Sequence, residues 1–234
     1  VQWEKRTMRW ALGFLPLVGV LIGALEWLWF AFCTHFAADG LFYAVIAALL
    51  PLFVSGGIHL DGYCDTVDAL ASHASREKKL EILKDSSAGA FAVIWCAVWF
   101  LVYFGLMTEK GSGLTITVAA GYLLSRTLSA LAVDRLPSAR AGMGATLKSS
   151  SSFPWWMLTL YGAAYLAAVL LMGAPVPGLV AFAAAVAFYF IYRRMALKVF
   201  GGFTGDLAGW FVTVCELVIL AAVVLTEKVV ALWF

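Results

Sequence analysis

Long apolar runs alternate with short polar connections along most of this chain. A hydrocarbon core about 30 Å thick requires about 20 helical residues to cross it. Seven runs approach that length, at residues 10–33, 38–55, 89–108, 114–133, 154–172, 175–192 and 207–226. The second run is the least regular, because Pro51, Gly56 and Gly57 crowd its end. The pattern predicts an all-α polytopic membrane protein with about seven transmembrane helices, in which neighbouring helices satisfy backbone groups freed by proline or glycine.

The basic residues indicate how these helices are oriented. With the N-terminus in the cytoplasm, all of the 16 Lys and Arg residues except Lys110 and Lys228 lie in inner segments or, like Arg126, towards the inner end of a helix. Membrane proteins show this bias because cytoplasmic loops retain Lys and Arg. We therefore expect a cytoplasmic N-terminus, an outer C-terminus, and longer polar loops on the cytoplasmic side.

Composition supports a membrane protein built as one unit. The 234 residues are 63% hydrophobic and 13% charged, and the mean hydropathy is +0.92. No loop is long enough for a soluble domain, so residues 1–234 are expected to form a single integral membrane domain. The net charge of +2 reflects topology, so we expect membrane lipids and no nucleic acid as partners. A homo-oligomer is compatible with the sequence.

The most polar segment inside the apolar pattern is GGIHLDGYCDTVDA, residues 56–69. If it is helical, Asp61, Asp65 and Asp68 lie on one face beside His59, because they are spaced at i, i+4 and i+7. Two like charges about 6 Å apart cost about 3 kcal/mol at an effective dielectric constant of about 20. A divalent cation would remove this repulsion, and carboxylate oxygens suit Mg²⁺ or Mn²⁺ better than zinc. A solvated acidic helix face is the alternative interpretation.

The same predicted inner loop continues to Lys84 and Asp85. Asp85 is either a further metal ligand or a cap for the following helix, with Ser86 and Ser87 beside it. Lys84 either contacts a phosphate group or extends to the membrane edge from an apolar surface.

The other two predicted inner loops also combine glycine with polar residues. In the second loop, Arg140 and Lys148 flank small residues that let backbone N–H groups approach an anion; an ordinary basic connector is the alternative. In the third loop, Thr204 and Asp206 precede the last helix in the sequence GGFTGD. These two residues have two interpretations: they bind phosphate oxygens at the helix start, or they simply cap the helix. Asp206 could also bind a metal.

One acidic residue falls near the middle of the last apolar run. Glu216 follows Asp206 by 10 positions, at a depth where a charged group is costly in the membrane. We expect it to line a polar cavity, to be protonated, or to pair with Arg126. Both are interpreted as residues that support the site.

Together these segments resemble the cobalamin synthase family. The resemblance rests on GGIHLDGYCDTVDAL, EILKDSSAGAFAV, RAGMGATL and GGFTGD, with Glu216 in the final helix and LGFLPLVGVLIGAL near the start. It covers nearly the whole chain, which begins just inside the family's usual start, so a few preceding residues are expected to be missing.

The resemblance implies an adenosylcobinamide-GDP ribazoletransferase that takes part in cobalamin (vitamin B12) biosynthesis and requires Mg²⁺. A ribose hydroxyl of α-ribazole, or of α-ribazole 5′-phosphate, attacks the phosphorus attached to cobinamide. Adenosylcobalamin or its 5′-phosphate forms and GMP leaves. The expected location is the cytoplasmic (inner) membrane of a bacterium or archaeon, with a multi-pass chain and the active site facing the cytoplasm.

Roles for the candidate residues follow from this reaction as hypotheses. The expected metal ligands are Asp61, Asp65 and Asp85, and the expected proton acceptor is Asp68 or His59. Groups expected to bind the phosphates or guanosine are Lys84, Arg140, Lys148, Thr204 and Asp206.

Two other functions remain open. A CDP-alcohol phosphotransferase acting on a lipid alcohol also uses clustered aspartates, but its DGxxAR order is absent, since Tyr63, Cys64 and Asp65 follow Gly62. A secondary transporter would carry its acidic residues near the membrane midplane on broken helices of paired repeats. Here most of them cluster at one predicted interface, and no repeat is visible.

Overall fold

The computed structural model describes residues 10–85 and 87–233. Within these ranges the regular elements are helical, and no β-strand is present. Ten α-helices are found there: α1 (Ala11–His35), α2 (Gly40–Ser55), α3 (Ile58–Ala71), α4 (Arg76–Ile82), α5 (Ala90–Glu109), α6 (Thr115–Arg135), α7 (Met143–Ser150), α8 (Trp155–Met172), α9 (Pro175–Met195) and α10 (Gly205–Trp233). A 3₁₀ turn, Ser112–Leu114, precedes α6, and a π-helical turn, Ala196–Phe200, extends α9.

The prediction of about seven membrane helices is confirmed, with six helices that qualify alone and one bent pair. Six helices, α1, α5, α6, α8, α9 and α10, are long and apolar enough to cross a membrane. A seventh span exists only if α2 and α3 count together, because the pair is bent by 93°. The bend falls at Gly56 and Gly57, whose φ angles of 61° and 82° are costly for other residues. The predicted orientation relies partly on Lys5, Arg6 and Arg9, which lie outside the described residues.

Helix α6 forms the centre of the bundle. In its most apolar window 83% of the residues are buried, compared with 22% for α5 and for α8. Helix α1 packs closely against it through Gly19 and Gly23, which are four residues apart. A Cβ atom added to Gly19 would lie 2.2 Å from the carbonyl oxygen of Tyr122. Small residues at this spacing allow membrane helices to approach closely.

Three connecting segments, residues 72–89, 136–154 and 196–204, meet at one end of the bundle, which we call the polar end. The second and third segments pair through their backbones: the N–H of Ala139 donates to the carbonyl of Phe203 at 2.9 Å, and the N–H of Phe203 donates to that of Pro137 at 2.9 Å. Arg76 donates to the carbonyl of Lys198 at 3.4 Å and so links the first segment to the third. The segments therefore form one continuous layer.

Candidate active site

Helices α3 and α10 cross at the polar end with almost no space between their backbones. A Cβ atom on Gly62 would lie 2.7 Å from the carbonyl oxygen of Asp206, and one on Gly209 would lie 3.0 Å from that of His59. Thr213 donates its hydroxyl to the same His59 carbonyl at 3.2 Å. The two glycines therefore allow the acidic face of α3 to lie beside the start of α10.

A cavity of about 590 Å³ opens at this crossing. Its walls come from α1, α3, α6, α7 and α10, and from the connecting segments. Six of the residues predicted for the site border it: His59, Asp61, Lys84, Arg140, Thr204 and Asp206. The structure thus brings together candidates from all three predicted inner loops. Four other candidates do not line it: Asp65, Asp68, Asp85 and Lys148.

Arg140, in the second segment of the polar end, joins the first segment to the start of α10. Its Nη1 donates to the carbonyl of Leu80 at 3.2 Å, and its Nη2 donates to that of Leu83 at 3.2 Å. The same Nη2 forms an ion pair with Asp206 at 2.8 Å. A rigid guanidinium fork can satisfy several acceptors at once. Arg140 therefore positions the cavity wall in addition to giving it positive charge.

Thr204 caps the start of α10, so the capping alternative considered for this loop applies to Thr204. Its hydroxyl accepts a hydrogen bond from the N–H of Leu207 at 3.2 Å and donates to Asp206 at 3.1 Å. Gly205, the first residue of α10, lies on the cavity wall. Free N–H groups at a helix start favour anions, so this end of the cavity is suited to a phosphate group.

Asp61 and Asp65 provide the carboxylates that could hold a divalent cation. Asp61 is exposed and Asp65 is half-buried, and both lie on α3, four residues apart. Mg²⁺ commonly binds one or two carboxylates together with water and substrate phosphates, and these two residues fit that pattern. Among the described residues no three His, Cys, Asp or Glu side chains are arranged to hold a metal by themselves. The magnesium site stays a prediction.

Asp68 has a structural function in this arrangement. One carboxylate oxygen accepts a hydrogen bond from the N–H of Gly89 at 2.6 Å, and the other accepts one from that of Ala92 at 2.9 Å. These groups belong to the start of α5, so Asp68 satisfies two of its free donors. The role of Asp68 as proton acceptor stays a prediction. Accepting a proton would weaken both of these hydrogen bonds.

Lys148 is also engaged by the backbone. Its ammonium donates to the carbonyls of Asp134 at 2.9 Å and Val133 at 3.3 Å, and to that of Leu136. It therefore caps the end of α6, where free carbonyls attract a cation. Partial burial lowers the pKa of Lys148. Its predicted contact with phosphate would require some of these bonds to be exchanged.

Asp85 lies in the exposed part of the first segment. Its carboxylate accepts hydrogen bonds from the hydroxyl of Ser87 at 2.6 Å and from the N–H of Ser87 at 3.0 Å. These bonds hold the pKa of Asp85 below its usual value. The intervening Ser86, named with it as a cap, lies outside the described residues. Asp85 as a metal ligand stays a prediction that the present geometry does not favour.

The partner predicted for Glu216 is found. Arg126 and Glu216 form an ion pair inside the bundle, with side chains 0% and 4% exposed. Arg126 also donates to the hydroxyl of Ser125 at 3.0 Å and to the carbonyl of Tyr122 at 3.3 Å. A small cavity of about 20 Å³ adjoins the pair, and His59 lies on its wall. His59 therefore borders both the small cavity and the larger one.

Some cavity residues carry no signal in the sequence. Leu12 and Leu15 of α1 and Val133 of α6 line the large cavity, but in sequence they are ordinary members of apolar runs. Ser129 also lies on the wall and resembles the other small residues of α6. Gly62, which is three residues from both His59 and Asp65, and Gly209, which is three residues from Asp206, could have indicated a close crossing of two helices.

Known proteins resemble this chain over most of its length. The family model CobS, described as cobalamin-5-phosphate synthase, matches residues 1–224. A protein of Lachnoclostridium phytofermentans named adenosylcobinamide-GDP ribazoletransferase is 38% identical over 98% of this chain and 88% of its own length. Proteins with the same name from Listeria monocytogenes serotype 4b (34% identical, covering 83% of this chain and 78% of the relative) and Desulfitobacterium hafniense (32%, covering 88% and 83%) are also similar. No solved structure matches the chain. With six or seven apolar helices and this full-length similarity, the chain belongs to the CobS, or cobalamin-5-phosphate synthase, family of membrane proteins.

Proposed function

We propose that this protein transfers the cobinamide phosphate of adenosylcobinamide-GDP to ribazole or ribazole 5′-phosphate. A ribose hydroxyl of the acceptor forms a new bond to the phosphorus attached to cobinamide, the bond from that phosphorus to GMP breaks, and the hydroxyl proton is released. The observation that carries the proposal is the 38% identity over 98% of the chain to a protein named for this activity. The cavity supports it by collecting acidic and basic groups around one space.

The phosphates of the donor fit the basic part of the cavity. Lys84 is exposed and borders the space, and it has no ion-pair partner among the residues that the structure describes. The start of α10 at Gly205 lies on the same wall and offers backbone N–H groups to an anion. Arg140 adds positive charge while it keeps Asp206 in place. These groups would neutralise the pyrophosphate and orient the GMP that leaves.

His59 is the better placed of the two predicted proton acceptors. It borders the cavity beside Asp61, whereas Asp68 is bound to the start of α5. We therefore assign removal of the hydroxyl proton to His59. Asp61 and Asp65 would hold Mg²⁺, which when bound would neutralise charge on the phosphate oxygens as bond breaking proceeds.

We also place the active site on the cytoplasmic side of the membrane. The three segments of the polar end, together with the ends of α6 and α9 that lead into them, carry 10 of the 16 Lys and Arg residues of the chain, as cytoplasmic loops and their flanks do. The nucleotide-activated donor and the ribazole acceptor are polar molecules, so a cavity that opens at this end would admit both from water.

The experiment is a turnover assay on protein purified into liposomes, with adenosylcobinamide-GDP, α-ribazole or its 5′-phosphate, and Mg²⁺. GMP and the cobalamin product should form together, and neither should form when EDTA is present. Asp61→Asn and Asp65→Asn should each reduce the rate at least about a hundredfold, as loss of charge stabilisation does. The control variant Glu81→Gln, which changes an exposed ion pair with Lys78, should keep the rate of the wild type. Folded wild-type protein that yields no product with either acceptor would reject the proposal.

A lipid-alcohol phosphotransferase is the remaining alternative within the same chemistry, and the comparisons do not favour it. Replacing adenosylcobinamide-GDP by a CDP-alcohol, and ribazole by a diacylglycerol in the liposomes, tests it directly. Release of CMP that depends on the lipid alcohol, with no release of GMP on ribazole, would favour that alternative.

A further inference from the structure

The large cavity has two chemically different sides. The side near α3 and the start of α10 carries His59, Asp61 and Asp206. A second part of the lining, which we call the aliphatic side, is formed by side chains of α1, α6 and α7, namely Leu12, Leu15, Val133 and Leu147. Such a surface binds apolar rings and gives no hydrogen bonds to the many polar edges of a purine.

One hydroxyl group interrupts the aliphatic side. Ser129 lines the cavity and is only 1% exposed. Among the described residues its hydroxyl has no hydrogen-bond partner, although other hydroxyl groups of α6 do. Thr127 donates to the carbonyl of Leu123 at 2.7 Å, and Ser125 donates to that of Tyr122 at 3.1 Å. The Ser129 hydroxyl is not one of the fully enclosed polar atoms that lack a partner; it opens to the cavity that the residue lines, so it is available to bond to a ligand there.

We propose that the aliphatic side binds the base of the acceptor nucleoside, and that the hydroxyl of Ser129 donates a hydrogen bond to its ring nitrogen. This inference rests on the proposed function. The base of ribazole is a dimethylbenzimidazole, which is apolar except for one ring nitrogen that can accept a hydrogen bond. One hydroxyl on an aliphatic surface matches that chemistry. Guanine carries several donors and acceptors, and most of them would be left unpaired on this side.

The two-sided cavity also accounts for the direction of attack. With its base against Leu15 and Val133, the acceptor nucleoside would extend its ribose towards His59 and Asp61. The donor phosphates would then occupy the basic region around Lys84 and Gly205. Base recognition and phosphate binding therefore use different walls of one cavity, and each can be changed separately.

The test compares two acceptors in two proteins. The acceptors are α-ribazole and the matching dimethylindole riboside, in which a C–H group replaces the ring nitrogen. The proteins are the wild type and Ser129→Ala. Release of GMP in liposomes gives kcat/KM for each pair, and the KM for adenosylcobinamide-GDP is measured in parallel. Thr127→Val is the matched control, because it removes a buried hydroxyl of α6 that already has a partner within the helix.

The wild type should prefer ribazole over the indole analogue by about five- to tenfold, the size of one buried hydrogen bond. Ser129→Ala should reduce this preference below about twofold, with an unchanged KM for the cobinamide donor. Thr127→Val should keep the preference of the wild type. An equal preference in wild type and Ser129→Ala, or an equal loss in Thr127→Val, would overturn the inference. If the wild type releases no GMP at all, the proposed function fails, and equilibrium binding of the two nucleosides to both proteins decides the inference alone.

Discussion

Glu216→Leu should strongly destabilise the folded protein. The substitution leaves the guanidinium of Arg126, whose side chain is 0% exposed, without its counter-ion. Two nitrogens of this group, Nε and Nη2, already lack hydrogen-bond partners among the described residues, so no nearby group takes over the charge. Removing one partner of a buried ion pair costs about 3–5 kcal/mol, and we expect a loss of that size in the free energy of unfolding.

The double variant Arg126→Leu/Glu216→Leu separates the effect of an unpaired charge from the effect of lost packing. It removes both charges, and two aliphatic side chains need no desolvation inside a membrane bundle. It should therefore be more stable than Glu216→Leu and than Arg126→Leu. Glu216→Gln keeps the shape of the side chain and one hydrogen-bond acceptor. Its free energy of unfolding should therefore lie between those of Glu216→Leu and the wild type.

The measurement is reversible unfolding in mixed detergent micelles, followed by tryptophan fluorescence, with the four free energies combined in a double-mutant cycle. The chain contains 10 tryptophans, so the signal reports on most of the bundle. The reasoning is refuted if the free energy of unfolding of Glu216→Leu is within about 1 kcal/mol of that of the wild type. It is also refuted if the double variant is less stable than both single variants.

Three further variants, one of them with a matched control variant, test other parts of the structure. Asp68→Asn should lower the free energy of unfolding by about 1–3 kcal/mol, because two charge-assisted bonds to α5 are weakened; a loss of turnover in a protein of unchanged stability would instead favour the proton-acceptor role. Gly19→Leu should prevent α1 from packing on α6 and reduce the yield of folded protein, because a Cβ would lie 2.2 Å from the carbonyl oxygen of Tyr122. Gly105→Leu, which meets nothing within 4 Å, should fold normally, and similar yields for both variants would contradict the packing argument. Arg140→Lys keeps the charge but not the fork, and it should lower kcat/KM for the cobinamide donor about tenfold; kinetics equal to those of the wild type would argue against a positioning role.

The membrane helices could be predicted closely because each depends on local properties. An apolar run of sufficient length is helical in a membrane wherever it occurs, and the predicted run at 38–55 ends where α2 does. Gly56 and Gly57 marked the irregular end of that run, and the chain bends there by 93°. The size of the bend depends on how α3 packs against α10, which no local pattern contains.

The candidate site could be predicted as a group of residues but not as a division of roles. The spacing of the aspartates indicated a shared helix face, and α3 is a helix. The bonds of Asp68, however, reach 21 and 24 residues along the chain, and those of Lys148 lead back to the end of α6. Such partners are set by tertiary packing. The same residue types serve as caps or as ligands, so composition cannot distinguish the two uses.

The Arg126–Glu216 pair also has a consequence for biogenesis. The two residues lie 90 positions apart, so α6 enters the membrane well before α10 has been synthesised. During that interval the guanidinium is in an apolar environment without its counter-charge, and only arrival of the last helix neutralises it. The same helix brings Asp206 and Gly209 to the cavity. A chain released before residue 205 would therefore lack part of the cavity wall and would keep an uncompensated charge in the membrane.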